Sequence, residues 1–276
     1  MKRKTVKYIL AKKKKDEKIV MLTAYDYPFA QLVDAAGVDI VLVGDSLANV
    51  VLGLESTRDV GMNEMIHHAK AVNRAVKQAM LVGDMPYGSY RDPKTAVKNA
   101  QRFVKEAGCD AVKLEWADNC PVVTQAIVKA GIPVMGHVGL TPQTVNPKDG
   151  FKLQGKDAEA AEKIINQAKI LQTKGSFSIV LECIPDKIAA IVTRKLKIPT
   201  IGIGAGASCD GQVLVTYDLL GLFHGFYPKF VKQYVDAHHL ISEGIVRFRQ
   251  DVESGKFPDA AHSYTMKDDE LRKLHG

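Results

Sequence analysis

Short apolar runs alternate with longer amphipathic segments along most of the chain. Each run is bounded by glycine, proline or polar residues, which is typical of a strand that is buried on both faces. The segments between the runs place apolar residues at helical spacing, as Met62, Met65 and Ile66 do. The pattern predicts strands over residues 18–26, 38–46, 79–86, 110–116, 132–139, 178–185, 198–206 and 212–222.

Eight strands that alternate with helices over about 250 residues predict an α/β fold, a single (β/α)8 TIM barrel. We expect one domain over residues 1–276, with a basic, helical N-terminal segment at 1–18, a helical stretch at 230–255 and a polar tail at 265–276. A doubly wound open sheet is the competing fold. It would carry a GxGxxG motif after its first strand, and this chain has none there.

Four of the predicted strands end in a carboxylate, and these are Asp45, Asp84, Glu115 and Glu182. The carboxyl ends of all barrel strands meet at one mouth, where barrel enzymes build their active sites, so we expect the acids to converge. Lys113 precedes Glu115 by two residues, so the two side chains share one face of their strand. His137, near the end of the fifth strand, is expected at the same mouth.

Carboxylates gathered around one opening repel one another and need a cation to stay ionised together. Oxygen ligands without a second histidine or a cysteine favour Mg²⁺, which keeps positions open for water or substrate. The alternative for any single acid is that it caps the helix after its strand. Lys113 is either a salt-bridge partner or a clamp for an anionic substrate, and His137 is either a structural donor or part of the pocket.

A metal ion, a lysine and one remaining carboxylate suggest enolate chemistry on a 2-oxo acid. The ion can chelate the carboxylate and keto oxygens and stabilise the charge that develops when a base removes the neighbouring proton. One acid must stay free to act as that base, and the residue pattern alone does not identify it.

The formal net charge of +7 lies entirely at the N-terminus. Residues 1–18 hold nine Lys or Arg side chains against two acids, and the remaining 29 basic and 29 acidic side chains balance. The rest of the chain has no basic surplus for a phosphate backbone, so we expect no nucleic-acid partner. The terminal lysines are interpreted as the solvated face of a short helix whose Val6, Ile9 and Leu10 point inward.

The sequence gives little indication of a membrane span, a secretory signal or a disulfide. No apolar stretch is long enough for a membrane span, and the N-terminus lacks the apolar region of a secretory signal, so we expect a cytoplasmic protein without a membrane partner. The four cysteines lack CxxC spacing and are predicted to be reduced core thiols.

Two loop segments carry possible binding functions. Residues 140–156 form the longest irregular piece, rich in Pro and Gly, which predicts a lid or binding loop. The glycines of GIGAG, residues 202–206, end the seventh strand, where barrels often hold phosphate. Glycines also simply permit a tight exit from a strand.

A series of motifs resembles the ketopantoate hydroxymethyltransferase family. It consists of TAYDY (23–27), LVGDSLANVVLG (42–53), VKLE (112–115), GHVGLTPQ (136–143), GFKLQGK (150–156), LECIP (181–185), IGIGAG (201–206), DGQVLV (210–215) and PKF (228–230). The likeness extends from about residue 5 to residue 264. The chain departs from the family where Trp116, Ala117 and Asp118 replace the usual glycines, and the indole is expected either to narrow the folate approach or to pack under the loop.

The resemblance implies transfer of a hydroxymethyl group from 5,10-methylenetetrahydrofolate to 3-methyl-2-oxobutanoate, which gives 2-dehydropantoate in pantothenate and coenzyme A biosynthesis. It implies Mg²⁺ as cofactor, with metal-side carboxylates at Asp45, Asp84 and Glu115. It also implies that the partners are small-molecule substrates and that the chain forms a homo-oligomer, often a decamer.

The resemblance also assigns roles around the substrate. Glu182 would be the base that removes the proton at C3. The substrate-binding residues would be Asp45, Ser46, Asp84, Lys113 and His137, with Ser46 and Lys113 on the carboxylate of the oxo acid.

Two other functions stay open. A Mg²⁺-dependent lyase or mutase of the phosphoenolpyruvate mutase and isocitrate lyase group would also place carboxylates at a barrel mouth, but it would need no folate. A scaffold or RNA-associated protein would act through the basic N-terminus and would lose its function with residues 1–15.

Overall fold

The computed structural model describes residues 3–144, 152–222 and 228–274. Its centre is a closed barrel of parallel strands in sequential order, which confirms the predicted (β/α)8 architecture. The strands are β1 Ile19–Thr23, β2 Ile40–Val43, β3 Met80–Asp84, β4 Ala111–Glu115, β5 Val134–Gly139, β6 Ser178–Glu182, β7 Thr200–Ile203 and β8 Gly211–Leu214. Strand β1 pairs with both β2 and β8, so the sheet closes on itself.

Helices precede, connect and follow the strands of the barrel. They are α1 Val6–Lys14, α2 Tyr27–Ala35, α3 Leu47–Val50, α4 Met62–Ala75, α5 Pro93–Lys105, α6 Cys120–Lys129, α7 Ala158–Thr173, α8 Asp186–Lys195, α9 Thr216–Leu219, α10 Ala237–Glu253 and α11 Asp268–Arg272. Sequence signals explain several starts. At α5, for example, the Asp92 side chain accepts a hydrogen bond from the Thr95 N–H and Pro93 occupies the first turn.

The barrel interior is apolar at its lower end. Side chains from alternate strand positions, such as Met21, Met80 and Met135, pack together there. Helix α1 closes this end, because Ile9 is fully buried against the same cluster. The lower end of the barrel is therefore filled, and the cavity described below lies toward the carboxyl ends of the strands.

The lysines of α1 bind the lower rim of the barrel. Lys12 Nζ lies 2.6 Å from Asp39 Oδ2, and Lys13 Nζ lies 2.7 Å from Asp210 Oδ2. The prediction of a solvated lysine face is therefore wrong for these two side chains. Both aspartates also accept hydrogen bonds from strand backbone, at Val20 and Thr200, so the pairs fasten α1 to the sheet.

Several predicted segments differ in extent. The eighth strand ends at Leu214, and residues 216–219, which were predicted as strand, form helix α9. The predicted C-terminal helix starts only at Ala237. Residues 145–151 of the predicted binding loop lie outside the described residues, as do 223–227 and the last two residues of the polar tail.

Two further sequence predictions concern the cysteines and the helices that could cross a membrane. All four cysteines are free and buried, as predicted for core thiols. Among the helices of the described residues, none is long and apolar enough to cross a membrane.

Candidate active site

A cavity of about 420 Å³ opens at the carboxyl ends of the strands. Six of the predicted site residues line it, and they are Asp45, Ser46, Asp84, Lys113, Glu115 and Glu182. None of the four strand-end acids caps the next helix, because the N-cap positions there are Ser46, Asp92, Asn119 and Pro185. The convergence expected from the barrel topology is therefore present.

Lys113 and Asp84 form a buried ion pair. They are register partners on β4 and β3, and Nζ donates to Asp84 Oδ2 at 2.7 Å. Burial lowers the pKa of Lys113, but the surrounding carboxylates, Asp84 foremost, outweigh burial and raise it above its ordinary value. Burial raises the pKa of Asp84 to about 7, although Lys113 opposes the rise.

Together with Asp84, the carboxylates of Asp45 and Glu115 surround Lys113 with negative charge. The backbone N–H of Asp45 donates to Asp84 Oδ2 at 3.3 Å, so the two aspartates are neighbours. Burial raises the pKa of Glu115 well above its ordinary value, and the charge of Asp45 adds to the rise. Three acids around one lysine leave an excess of negative charge that a bound cation would offset.

Gln143, which the sequence analysis did not single out, joins these acids. Its Nε2 donates to Asp45 Oδ2 at 2.8 Å and to the Met85 carbonyl at 3.0 Å, and its backbone N–H donates to Glu115 Oε2 at 3.0 Å. The Tyr90 hydroxyl donates to Gln143 Oε1 at 2.6 Å, which fixes the orientation of the amide. Gln143 is fully buried, so these contacts exclude water.

Ser46 is held by a tyrosine from the first strand–helix turn. The hydroxyls of Tyr25 and Ser46 are 2.8 Å apart, and Tyr25 is fully buried. The backbone carbonyl of Tyr25 in turn contacts His68 Nδ1 at 2.6 Å. His68, on α4, therefore supports the turn that carries Tyr25.

His137 lies beneath the cavity, between two carboxylates. Its Nδ1 is 3.6 Å from Glu115 Oε1, and its Nε2 is 3.1 Å from Glu182 Oε2. Neither ring nitrogen makes a well-aligned hydrogen bond with the described residues. Burial, with the nearby Lys113, lowers the pKa of His137, so the neutral ring is favoured.

The donor set at the mouth fits a hard cation. Asp84 Oδ1 is buried and has no hydrogen-bond partner among the described residues, and Asp45 lies beside it. No group of three or more His, Cys, Asp or Glu side chains in the described ranges is close enough to hold a metal ion. Two carboxylates with open positions match Mg²⁺, which usually keeps several waters. A direct metal contact of Glu115 stays a prediction.

The outer part of the cavity contains residues that the sequence analysis missed. Phe230 and Asp218 line it, and Phe230 approaches so closely that a Cβ on Gly204 would lie 2.7 Å from its ring. Gly204 has φ +63°, so glycine is needed there for backbone shape and for space. Trp116 packs against the outer core and does not line the cavity, which favours its packing role.

Comparisons of the sequence give one consistent result. A family model described as ketopantoate hydroxymethyltransferase matches residues 3–260. A protein named 3-methyl-2-oxobutanoate hydroxymethyltransferase from Syntrophomonas wolfei subsp. wolfei is 53% identical over 276 residues, covering 100% of both chains. Proteins of the same name from Clostridium botulinum (strain Langeland) and Carboxydothermus hydrogenoformans are 51% and 50% identical, covering 99% and 100% of this chain and 100% of each relative.

Solved structures with a similar fold belong to other enzymes. Oxaloacetate acetylhydrolase has a TM-score of 0.64 at 14% identity, covering 99% of this chain and 94% of that one. Phosphonopyruvate hydrolase in complex with oxalate and Mg²⁺ has a TM-score of 0.60 at 11% identity, covering 99% and 98%. At such low identity, these likenesses support the barrel fold alone.

Proposed function

The chain belongs to the ketopantoate hydroxymethyltransferase family, and we propose that it transfers a hydroxymethyl group from 5,10-methylenetetrahydrofolate to 3-methyl-2-oxobutanoate in pantothenate biosynthesis. The product would be 2-dehydropantoate. The observation that carries the proposal is the cavity at the barrel mouth, which contains a buried lysine, adjacent aspartates and a separate carboxylate, Glu182.

The oxo acid would bind at the inner end of the cavity. Lys113 provides a buried positive charge for the substrate carboxylate, and Ser46 provides a hydroxyl next to Asp45. A buried lysine that already pairs with Asp84 keeps a fixed position, because its ammonium is held at 2.7 Å. The substrate therefore meets a preorganised charge, which reduces the reorganisation that binding requires.

Glu182 is the proposed base at C3 of the oxo acid. It lines the cavity at the end of β6, whereas Asp84 ends β3 and Asp45 follows β2. Glu182 is therefore not needed as a metal ligand and can act as a base. Neutral His137, with Nε2 at 3.1 Å from Glu182 Oε2, would support the carboxylate from below. A carboxylate that faces the substrate across the cavity can take the C3 proton and leave an enolate.

Asp45 and Asp84 would hold Mg²⁺, with Glu115 behind them. When bound, the ion would polarise the keto oxygen and stabilise negative charge on it. The balance of the reaction requires water, which supplies the hydroxyl oxygen, while the folate supplies the methylene carbon. The new bond forms between C3 and that carbon, and the bonds from the carbon to the folate nitrogens break.

The folate would enter through the outer part of the cavity. Phe230, Val50 and Pro142 provide apolar surface there, suited to a flat aromatic ring. Asp218 provides a half-buried carboxylate, and a carboxylate can accept hydrogen bonds from an amino-pyrimidine edge. This arrangement would place the donor above an oxo acid bound at Lys113.

The experiment is hydrogen exchange at C3. The protein is incubated with 3-methyl-2-oxobutanoate and Mg²⁺ in D₂O without folate, and loss of the C3 proton signal is followed by NMR. We expect Glu182→Gln to lower the exchange rate by roughly 100-fold or more, because the base is lost. Glu159→Gln, an exposed position on α7, is the matched control and is expected to exchange at the unaltered rate.

Full turnover separates the proposal from a lyase or mutase. The hydroxymethyltransferase consumes 3-methyl-2-oxobutanoate only when 5,10-methylenetetrahydrofolate is added, and EDTA stops both exchange and turnover. Turnover of an oxo acid without folate would favour the lyase. Unchanged exchange in Glu182→Gln would remove the base assignment.

A further inference from the structure

The hydroxyl of Ser46 does not make the contact that a serine at a helix start usually makes. Ser46 occupies the N-cap position of α3, yet its side chain makes no capping hydrogen bond. Instead, its Oγ lies 2.8 Å from the Tyr25 hydroxyl. Gly44 leaves room for this position, because a Cβ there would come within 2.9 Å of Ser46 Oγ. The side chain of Ser46 therefore contacts Tyr25 at the wall of the cavity and leaves its own helix uncapped.

Tyr25 is held firmly, so its hydroxyl has a defined place. The residue is fully buried, and its ring meets the ring of Tyr217 edge-on, with the centroids 5.4 Å apart. Its carbonyl lies 2.6 Å from His68 Nδ1, and because a carbonyl can only accept, this nitrogen donates. Burial raises the pKa of Tyr25 above its ordinary value, so the hydroxyl keeps its proton and can donate it in a hydrogen bond.

The direction of the hydrogen bonds at Tyr25 follows from a backbone group. The Thr216 N–H donates to Thr23 Oγ1 at 2.9 Å, and a backbone N–H cannot accept in return. The proton of the Thr23 hydroxyl is therefore available to another group, and Thr23 acts on the Tyr25 hydroxyl as a donor. Tyr25 accepts from Thr23 and directs its own proton to Ser46 Oγ. The order of donation thus runs from the Thr216 N–H to Ser46.

We propose that Tyr25 is a positioning residue that makes Ser46 a hydrogen-bond donor toward the carboxylate of the oxo acid, an inference that rests on the proposed function. A serine hydroxyl that accepts from Tyr25 has its own proton for an acceptor in the cavity, and an ionised carboxylate can only accept. Each hydroxyl is polarised by the donor behind it, which strengthens the last bond. Lys113 supplies charge to the carboxylate, and Ser46 supplies a hydrogen bond of fixed direction.

A double-mutant cycle of binding tests this role. Isothermal titration calorimetry measures the affinity for 3-methyl-2-oxobutanoate with saturating Mg²⁺ in the parent, Tyr25→Phe, Ser46→Ala and the double variant. We expect Tyr25→Phe to weaken binding about 3- to 10-fold, the effect of one hydrogen bond. In the Ser46→Ala background, the same change should alter binding by less than about twofold, because no hydroxyl is left to orient. A loss that persists in that background would show a general structural role and would overturn the proposal, and so would a Tyr25→Phe chain whose far-UV circular dichroism shows that it does not fold.

The kinetics of C3 exchange give a second measurement. We expect Tyr25→Phe to raise KM for the oxo acid by the same factor and to leave kcat unchanged, because the bond to the carboxylate is made in the ground state and the transition state alike. Tyr217→Phe is the matched control, since it removes a neighbouring hydroxyl that acts on Asp26, and it should keep both constants. A lower kcat at unchanged KM in Tyr25→Phe would overturn the proposal.

The same measurements separate this inference from the proposed function. A parent that does not bind the oxo acid would refute the proposed function and the role of Tyr25 with it. A parent that binds the oxo acid, together with a Tyr25→Phe variant that binds it equally well, would refute the role of Tyr25 alone.

Discussion

Replacing Gln143 by leucine should weaken both the fold and the reaction. Leucine keeps a similar volume but removes an amide that serves Asp45, the Met85 carbonyl and the Tyr90 hydroxyl. Asp45 lines the cavity, so water can replace its lost donor. The Met85 carbonyl and the Tyr90 hydroxyl belong to buried residues and would lose a partner without replacement.

The magnitude follows from these two buried groups. A buried polar group left without a partner costs about 1–3 kcal/mol, so Gln143→Leu should lower the free energy of unfolding by roughly 2–6 kcal/mol. A domain stability of about 5–15 kcal/mol lets the variant fold, although with a reduced margin. Asp45 would also lose the contact that fixes its carboxylate, and a displacement of about 1 Å at a reacting group can cost roughly 100-fold in rate.

Urea unfolding at one fixed protein concentration measures the first effect. Trp116 is the single tryptophan and packs against the outer core, so its fluorescence reports the transition. Tyr90→Phe is the matched control, because it removes one hydroxyl and leaves the Gln143 contact to Asp45 in place. We expect a smaller loss of stability for Tyr90→Phe. An unaltered urea midpoint and an unaltered C3 exchange rate in Gln143→Leu would refute the reasoning.

Two further predictions concern the bottom of the barrel and the outer cavity. Ile9→Ala should lower the free energy of unfolding by about 2–5 kcal/mol, because Ile9 is fully buried. The C3 exchange rate should stay unchanged, because Ile9 lies far from the mouth. Urea unfolding measures the stability, and NMR measures the exchange. Burial raises the pKa of Asp218 to about 6 from an ordinary 3.8, so the folded state favours the protonated form and loses stability as the pH rises through about 6. Asp218→Asn cannot ionise and should therefore have a higher urea midpoint than the parent at about pH 8, with the difference shrinking toward about pH 4; a difference that is independent of pH would contradict this.

The sequence predicted the barrel and the acids at its mouth because both follow from strictly local patterns. A short apolar run that ends in Asp84 or Glu115 predicts a buried strand, and it also identifies the acidic side chain at the carboxyl end of that strand. Gln143 has no such signal. It lies in a loop, and its importance comes from contacts with Asp45 and Tyr90, which are 98 and 53 residues away in sequence.

At the two ends of the chain, the partners of the charged side chains and the length of the last strand were harder to predict. A run of lysines is usually solvated, and only the folded barrel brings Asp39 and Asp210 under Lys12 and Lys13. At the other end, QVLVTYDLLGL reads as one apolar strand, yet Thr216 turns the chain into α9 by binding β1, with its hydroxyl on the Thr23 carbonyl and its N–H on the Thr23 hydroxyl. Tertiary contacts override the local pattern in both cases.

Strand register accounts for how the charged groups of the mouth meet. Side chains that point inward alternate along each strand, so β3 presents Met80, Val82 and then Asp84, which turns from apolar to charged toward the mouth. The pairing places Asp84 beside Lys113 on β4, and Glu115, two residues further, beside His137 on β5. A shift of the register by one residue would turn Lys113 and Glu115 out of the barrel together. The apolar lower layers, closed by Ile9, thus set the alignment of the charged upper layer, so the same strands that make the core also position the site.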